Sequence, residues 1–151
     1  MNEPPKTNAS FALANMLSKF PIYTNTSAAV TSSTALEVKG NLTLSSNTVL
    51  DMNGAFEVDG NLTNAGTIKL GSTVTSLGTM DATQGTIEYD KAGTQTILTD
   101  NYFNLEIDGS NTKTAAAALN IDGDLTITAG ALDIGTNNAD LNIAGNFANA
   151  G

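Results

Sequence analysis

The sequence predicts an all-β fold, a single-stranded parallel β-helix (β-solenoid) with coils of about 20 residues. One heptapeptide occurs twice almost unchanged, as GNLTNAG at residues 60–66 and as GNFANAG at residues 145–151. Glycines recur at a matching distance, since Gly40 and Gly60 are separated by one such coil length. Between these glycines the chain has short alternating segments and polar corners, and a repeat of this length has no room for a helix as well.

The strands are predicted from segments in which apolar and polar residues alternate before a glycine. This alternation is typical of a half-buried strand, because successive side chains point to opposite faces. Glycine followed by Asn or Asp then predicts a tight corner with a positive φ angle. The segments are residues 36–42, 56–62, 105–109, 119–125 and 141–147.

A second group of segments has glycine before the strand rather than after it. Its members are residues 66–70, 85–89 and 130–134, with residues 48–52 as a looser member. Their offset from the first group predicts that they form another face of the same coil. Residues 71–118 keep both patterns poorly. Parallel stacking at about 4.8 Å would give residues 36–151 about five or six coils.

The first 35 residues differ from the rest and are predicted to form a separate segment, an N-terminal cap or donor, before a solenoid over residues 36–151. Apolar residues between 9 and 20 suit a short helix, with Ser10 as its cap and Pro21 as its stop. A secretory signal is the competing interpretation. Residues 22–35 are compatible with a strand, either as an ordinary first coil or as a free strand that pairs with another molecule.

Composition excludes several classes of function. The chain has no Cys or His, and its six basic residues are all Lys, so the usual general base, soft metal ligands and guanidinium groups are missing. We therefore predict that it is not an enzyme and has no cofactor. Its net charge of −9 opposes binding to nucleic acid or to an anionic membrane. No apolar run is long enough to insert into a membrane.

Acidic residues two positions apart raise the question of a calcium site. The best candidates are Asp108, Asp122 and Asp124, close to corner glycines. Because they occupy outward positions of predicted strands, solvation alone explains them better. The Asn residues that follow corner glycines, Asn41 and Asn61, are predicted to hydrogen-bond in a ladder from coil to coil.

The units at residues 36–43 and 56–70, an alternating strand followed by Gly-Asn-Leu-Thr and then Gly-Thr-Ile, resemble the repeats of filamentous-haemagglutinin-like bacterial adhesins. The resemblance covers residues 36–70 and 119–151. It implies an extracellular or cell-surface location. Coils near 20 residues with irregular corners resemble those of right-handed parallel β-helices, so we expect a right-handed winding.

The ends of a solenoid predict how the chain associates, because end coils expose unpaired backbone groups and a cross-section of the core. The second heptapeptide lacks the strand that follows the first, which predicts that another molecule completes it. We therefore expect a structural subunit that polymerises head to tail with itself in an extracellular filament or matrix. The alternatives are a stalk fragment of a surface adhesin or phage-type fibre, and a carbohydrate- or calcium-binding module. The predicted interface comprises Ile22, Tyr23, Val30, Leu141, Ile143, Asn146, Phe147 and Asn149.

Overall fold

The computed structural model describes residues 29–151 and the backbone of residues 22–24, and this part of the chain is all-β as predicted. The strands are β1 (Ile22–Thr24), β2 (Ala29–Ser32), β3 (Leu36–Val38), β4 (Leu42–Leu44), β5 (Val49–Met52), β6 (Phe56–Asn64), β7 (Thr67–Leu70), β8 (Val74–Met80), β9 (Thr86–Tyr89), β10 (Gln95–Ile97), β11 (Asn101–Tyr102), β12 (Asn104–Ile107), β13 (Thr112–Ala115), β14 (Leu119–Ile121), β15 (Leu125–Ile127), β16 (Ala131–Asp133), β17 (Leu141–Ile143) and β18 (Phe147–Asn149). The described residues include no helix that is long and apolar enough to cross a membrane. The helix predicted between residues 9 and 20 lies outside the described residues.

Seven strands form one continuous parallel ladder, called the long ladder here. Its order is β2, β5, β7, β9, β12, β15 and β18. Neighbouring strands are one coil apart in sequence, since Val49 aligns with Thr67, and Leu125 aligns with Phe147. The chain thus makes about six coils of about 19 residues, which confirms the predicted β-solenoid.

Shorter strands complete each coil on two further faces. In the N-terminal half, β3 and β4 both pair with the long strand β6, β1 pairs with β4, and β8 pairs with the other edge of β6. In the C-terminal half, β10, β13 and β16 form one parallel ladder, and β11, β14 and β17 form another. Among the described strands none joins β8 to β10. Only the long ladder therefore runs through the whole described solenoid.

The repeated glycine corner changes its place on the coil between the two halves. Gly60 lies within β6, one face before the long ladder is reached at β7. Gly145 instead lies in the corner just before β18, which belongs to the long ladder itself. The motif has therefore moved by one face. The prediction that each group of segments occupies a single face is wrong, because β12 of the first group lies in the long ladder and β16 of the second lies outside it.

Glycine is required at these corners by close stacking rather than by backbone conformation. A Cβ on Gly60 would lie 2.5 Å from the carbonyl O of Gly40, and a Cβ on Gly145 would lie 2.3 Å from the carbonyl O of Gly123. Gly85 does have a positive φ, +80°, but Gly60 and Gly145 do not. The predicted positive φ is therefore wrong for these two corners. Successive corners approach so closely that no side chain fits between them.

Two buried tyrosines fill the core near the place where the motif shifts. The rings of Tyr89 and Tyr102 pack edge to face with centroids 6.5 Å apart, and their hydroxyl oxygens are 3.1 Å apart. The Tyr102 hydroxyl donates to the carbonyl O of Leu98 at 2.7 Å, and the backbone N–H of Leu98 donates to the Tyr89 hydroxyl at 3.2 Å. The Tyr89 hydroxyl therefore donates to Tyr102. These bonds hold the irregular corner before β11 against the core.

Two polar side chains occupy inward positions in the aligned strands β10 and β13. The buried Lys113 ammonium donates to the backbone carbonyls of Lys91, Gly93 and Ser110, at N···O distances of 2.8, 3.2 and 2.9 Å. Burial lowers the pKa of Lys113. Gln95, aligned with Lys113, likewise donates its side-chain amide to two carbonyls of a preceding corner, at 2.8 and 2.7 Å. Both side chains thus tie the turns of the irregular middle to the core.

Candidate assembly surface

An inward apolar column follows the long ladder from end to end. Strand register aligns Val30, Leu50, Ile68, Ile87, Leu105, Leu125 and Phe147. The five central members are each at most 5% exposed, because a coil covers them on both sides. Phe147 is 58% exposed and is the only large exposed hydrophobic side chain among the described residues. The column therefore ends in an open apolar contact surface.

The neighbouring face of the last coil is open in the same way. Leu141 aligns with Leu119, and Ile143 aligns with Ile121, in β17 and β14. Leu119 and Ile121 are buried, whereas Leu141 and Ile143 are only half-buried. Together with Phe147 they form an apolar cross-section of the core, called the terminal face here. Three of the residues predicted at the interface thus lie on one surface.

A second inward column of the long ladder is apolar inside and polar at both ends. Ser32 aligns with Met52 at the N-terminal end, and Asn149 aligns with Ile127 at the C-terminal end. On the outward side of the same two terminal strands lie Thr31 and Ala148, both exposed. The inward positions of the two end strands therefore match each other in polarity: Val30 with Phe147, and Ser32 with Asn149.

The C-terminal end of the described solenoid offers strand edges. Within the described residues, β18 pairs only with β15, and β17 pairs only with β14. At the other end, β1 pairs with β4 and β2 pairs with β5, so residues 22–24 and 29–32 stack on the solenoid of their own chain as its first coil. The interface residues Ile22 and Tyr23 belong to β1, where the backbone register aligns Ile22 with Leu42. Edges of this kind accept a further parallel strand.

The Asn-Ala-Gly sequence that ends each heptapeptide makes the same local turn twice. The side-chain oxygen of Asn64 accepts the backbone N–H of Gly66 at 3.0 Å, and that of Asn149 accepts the backbone N–H of Gly151 at 3.1 Å. The Asn64 amide then donates to the carbonyl O of Thr86 in the following coil, at 3.0 Å. The Asn149 amide nitrogen has no hydrogen-bond partner among the described residues.

Asn146, also predicted at the interface, belongs instead to a corner stack within the chain. Its backbone N–H and its side-chain amide both donate to the Asp124 carboxylate, at 2.7 and 3.0 Å. The predicted bonding from coil to coil at Asn41 and Asn61 is present in a related form, since the Asn41 side-chain oxygen accepts the backbone N–H of Asn61 at 2.8 Å. These corner residues therefore hold adjacent coils in register.

A second asparagine row was missed from the sequence. Asn142 donates its amide to Asn120, and Asn120 donates to Asn101, each at 3.1 Å on the exposed side of β17, β14 and β11. The signal was the shared middle position of Leu-Asn-Ile at residues 119–121 and 141–143. The row reaches the last coil at Asn142, so it lies beside the terminal face.

Charged side chains are concentrated away from the four end strands. Strands β1, β2, β17 and β18 contain no charged residue. In the inner coils, Lys69 forms an ion pair with the buried carboxylate of Glu88, at N···O 2.7 Å. Burial raises the pKa of Glu88 despite this partner, and the hydrogen bond to Glu88 raises the pKa of Lys69. The strands that would meet in an end-to-end contact are therefore uncharged, although the chain carries a net −9.

The calcium candidates are not assembled into one cluster. Asp108 follows β12 and Asp122 follows β14, which lie on different faces of the coil. Asp124 is already hydrogen-bonded to Asn146. In the part of the chain that the structure describes, no group of three acidic, His or Cys side chains is placed to hold a metal ion.

Fold and surface together define a class: this chain is a parallel β-solenoid whose last coil presents an uncharged apolar face. Comparison with family models, curated proteins and solved structures finds no match. The resemblance to filamentous-haemagglutinin-like adhesins stays a prediction, as does the absence of enzymatic activity.

Proposed function

We propose that this chain is a structural subunit that stacks end to end with further copies of itself to form an extracellular filament. The observation that carries the proposal is the apolar column of the long ladder, which is buried through its five central members and then exposed at Phe147. A copy placed on the terminal face would bury Phe147, Leu141 and Ile143 as the inner coils bury their counterparts.

The topology suits growth in one direction. All strands of the long ladder are parallel, so β2 of a second copy can add to β18 with the same strand direction and continue the backbone hydrogen bonds. The two contacting surfaces differ, which makes the contact heterologous. Heterologous contacts that do not close into a ring produce a fibre.

Sedimentation velocity over a range of protein concentrations, with negative-stain microscopy of the same samples, tests this function. We expect a concentration-dependent series of species and unbranched fibres. A monodisperse monomer at every concentration would refute self-stacking. It would favour the stalk of a longer solenoid, in which further coils of the same chain cover the terminal face.

A further inference from the structure

We infer that the copies stack in a single register, with β2 of one copy directly on β18 of the next, Val30 over Phe147, Thr31 over Ala148 and Ser32 over Asn149. This inference rests on the proposed function and specifies the partner surface of the terminal face. It places each residue of the second copy where the next member of an existing column would lie.

Side-chain alternation selects this register over its neighbours. A slip by one residue would place Val30 over an outward position and would turn every inward side chain toward solvent. A slip by two residues would place Val30 over Asn149 or Ser32 over Phe147, and each of these contacts sets a polar group against an apolar one. Only the inferred register continues the apolar column from Phe147 to Val30 and pairs the polar ends of the second column.

The Asn149 amide supports the same arrangement. In the first copy of the heptapeptide, the Asn64 side-chain amide donates to the backbone carbonyl of Thr86 in the following coil. Thr86 aligns with Thr67, which lies three residues after Asn64. The equivalent place after Asn149 is filled by the corner that follows β2 of the second copy. The backbone carbonyls of that corner would accept a hydrogen bond from the Asn149 amide, which has no partner among the described residues.

A difference in corner length does not prevent β1 from lying on β17. The segment from Ile22 to Val30 is longer than the segment from Leu141 to Phe147. The chain already stacks two such coils internally, because the longer segment 42–50 aligns at both ends with the shorter segment 62–68. The same pairing between copies would place Ile22 in register with Leu141.

Cysteine cross-linking tests the register, since the chain has no Cys of its own. The double variant Thr31→Cys with Ala148→Cys changes only outward positions and leaves the terminal face intact. Within one chain these positions are six coils apart, about 29 Å at the usual strand spacing, so a disulfide can form only between copies. The matched control is Ala29→Cys with Ala148→Cys, which is offset by two residues on the same exposed side.

We expect mild oxidation to convert the first variant into a ladder of covalent oligomers that a reductant reverses, with at least about tenfold more cross-linked product than the control. The fibres should also show an axial repeat of about 34 Å, which is seven strands at about 4.8 Å. Fibres in which both cysteine pairs cross-link equally, or fibres with a longer axial repeat, would overturn the inferred register. The proposed filament itself would not be contradicted by either result. Absence of any association would overturn both proposals.

Discussion

Replacing Phe147 with lysine should strongly weaken self-association while the solenoid stays folded. A Phe side chain buries about 200 Å² when fully enclosed. With 58% of the residue exposed, about 115 Å² remains for a second copy to cover. At about 25 cal/mol per Å² this area contributes about 3 kcal/mol, which corresponds to a change in Kd of about 100-fold. Lysine also sets an ammonium group against the apolar column, so 100-fold is a lower bound.

The matched control is Ala148→Lys, which adds the same charge to the next residue of the same strand but on its outward side. We expect this variant to associate within about threefold of the wild type, a difference below about 1 kcal/mol. Sedimentation velocity at a series of concentrations gives the Kd of each protein. Far-UV circular dichroism and thermal unfolding establish that both variants remain folded, since Phe147 is exposed in the single chain.

Equal weakening by Phe147→Lys and Ala148→Lys would show that a lysine anywhere on β18 disturbs the contact, so that covering the apolar column is not what controls association. No effect of Phe147→Lys on a protein that does associate would show that copies meet through another surface. Either result would refute the reasoning from the exposed column.

The buried polar groups and the acidic residues give three further predictions. Lys113→Met leaves three backbone carbonyls without their donor and should lower the free energy of unfolding by about 2 to 3 kcal/mol. The control variant Lys91→Met should change it by less than about 0.5 kcal/mol. Urea denaturation measures both values. Burial raises the pKa of Tyr89 to about 12, so the folded state retains protons that the unfolded state loses above pH 10. Stability should therefore fall from pH 10 toward 12. In a background with both Tyr23→Phe and Tyr102→Phe, absorbance follows Tyr89 alone, and its ionisation near pH 10 in the folded protein would contradict this. Burial also raises the pKa of the carboxyl groups of Glu88, Asp90 and Asp100, so the folded state binds more protons in mildly acidic solution. The thermal midpoint should be higher at pH 5 than at pH 7, and a lower midpoint at pH 5 would count against the assignment.

The solenoid was predictable because its main signal is local. Each strand alternates inward and outward residues, as in Leu36–Val38, and a glycine corner recurs about once per coil. The change of face between the halves was not predictable, because the place of a segment on the coil depends on the lengths of all preceding corners. The same limit applies to Lys113. Its carbonyl partners come from residues 91, 93 and 110, which only the folded coils bring together.

The candidate surface was partly predictable for the same reason. Phe147, Leu141 and Ile143 follow from alternation in the last repeat, and the structure places all three on one open face. Asn146 was assigned there by its position in the heptapeptide, but its hydrogen bonds to Asp124 place it in a corner stack instead. A polar residue of the last coil can hydrogen-bond within a corner stack or lie open on the terminal face. Which of these occurs depends on its neighbour one coil away, and the linear sequence pattern does not identify that neighbour.

The distribution of charge is consistent with the proposed end-to-end stacking. Proteins that keep sheet edges from pairing commonly place Lys, Pro or an inward charge on the edge strand. None of these devices occurs in β1, β2, β17 or β18. The outward positions of inner strands instead carry charges such as Asp51 and Glu106, within a chain of net charge −9. In the proposed filament, the net negative charge would make parallel rods repel each other side by side, whereas the end strands would meet without charge.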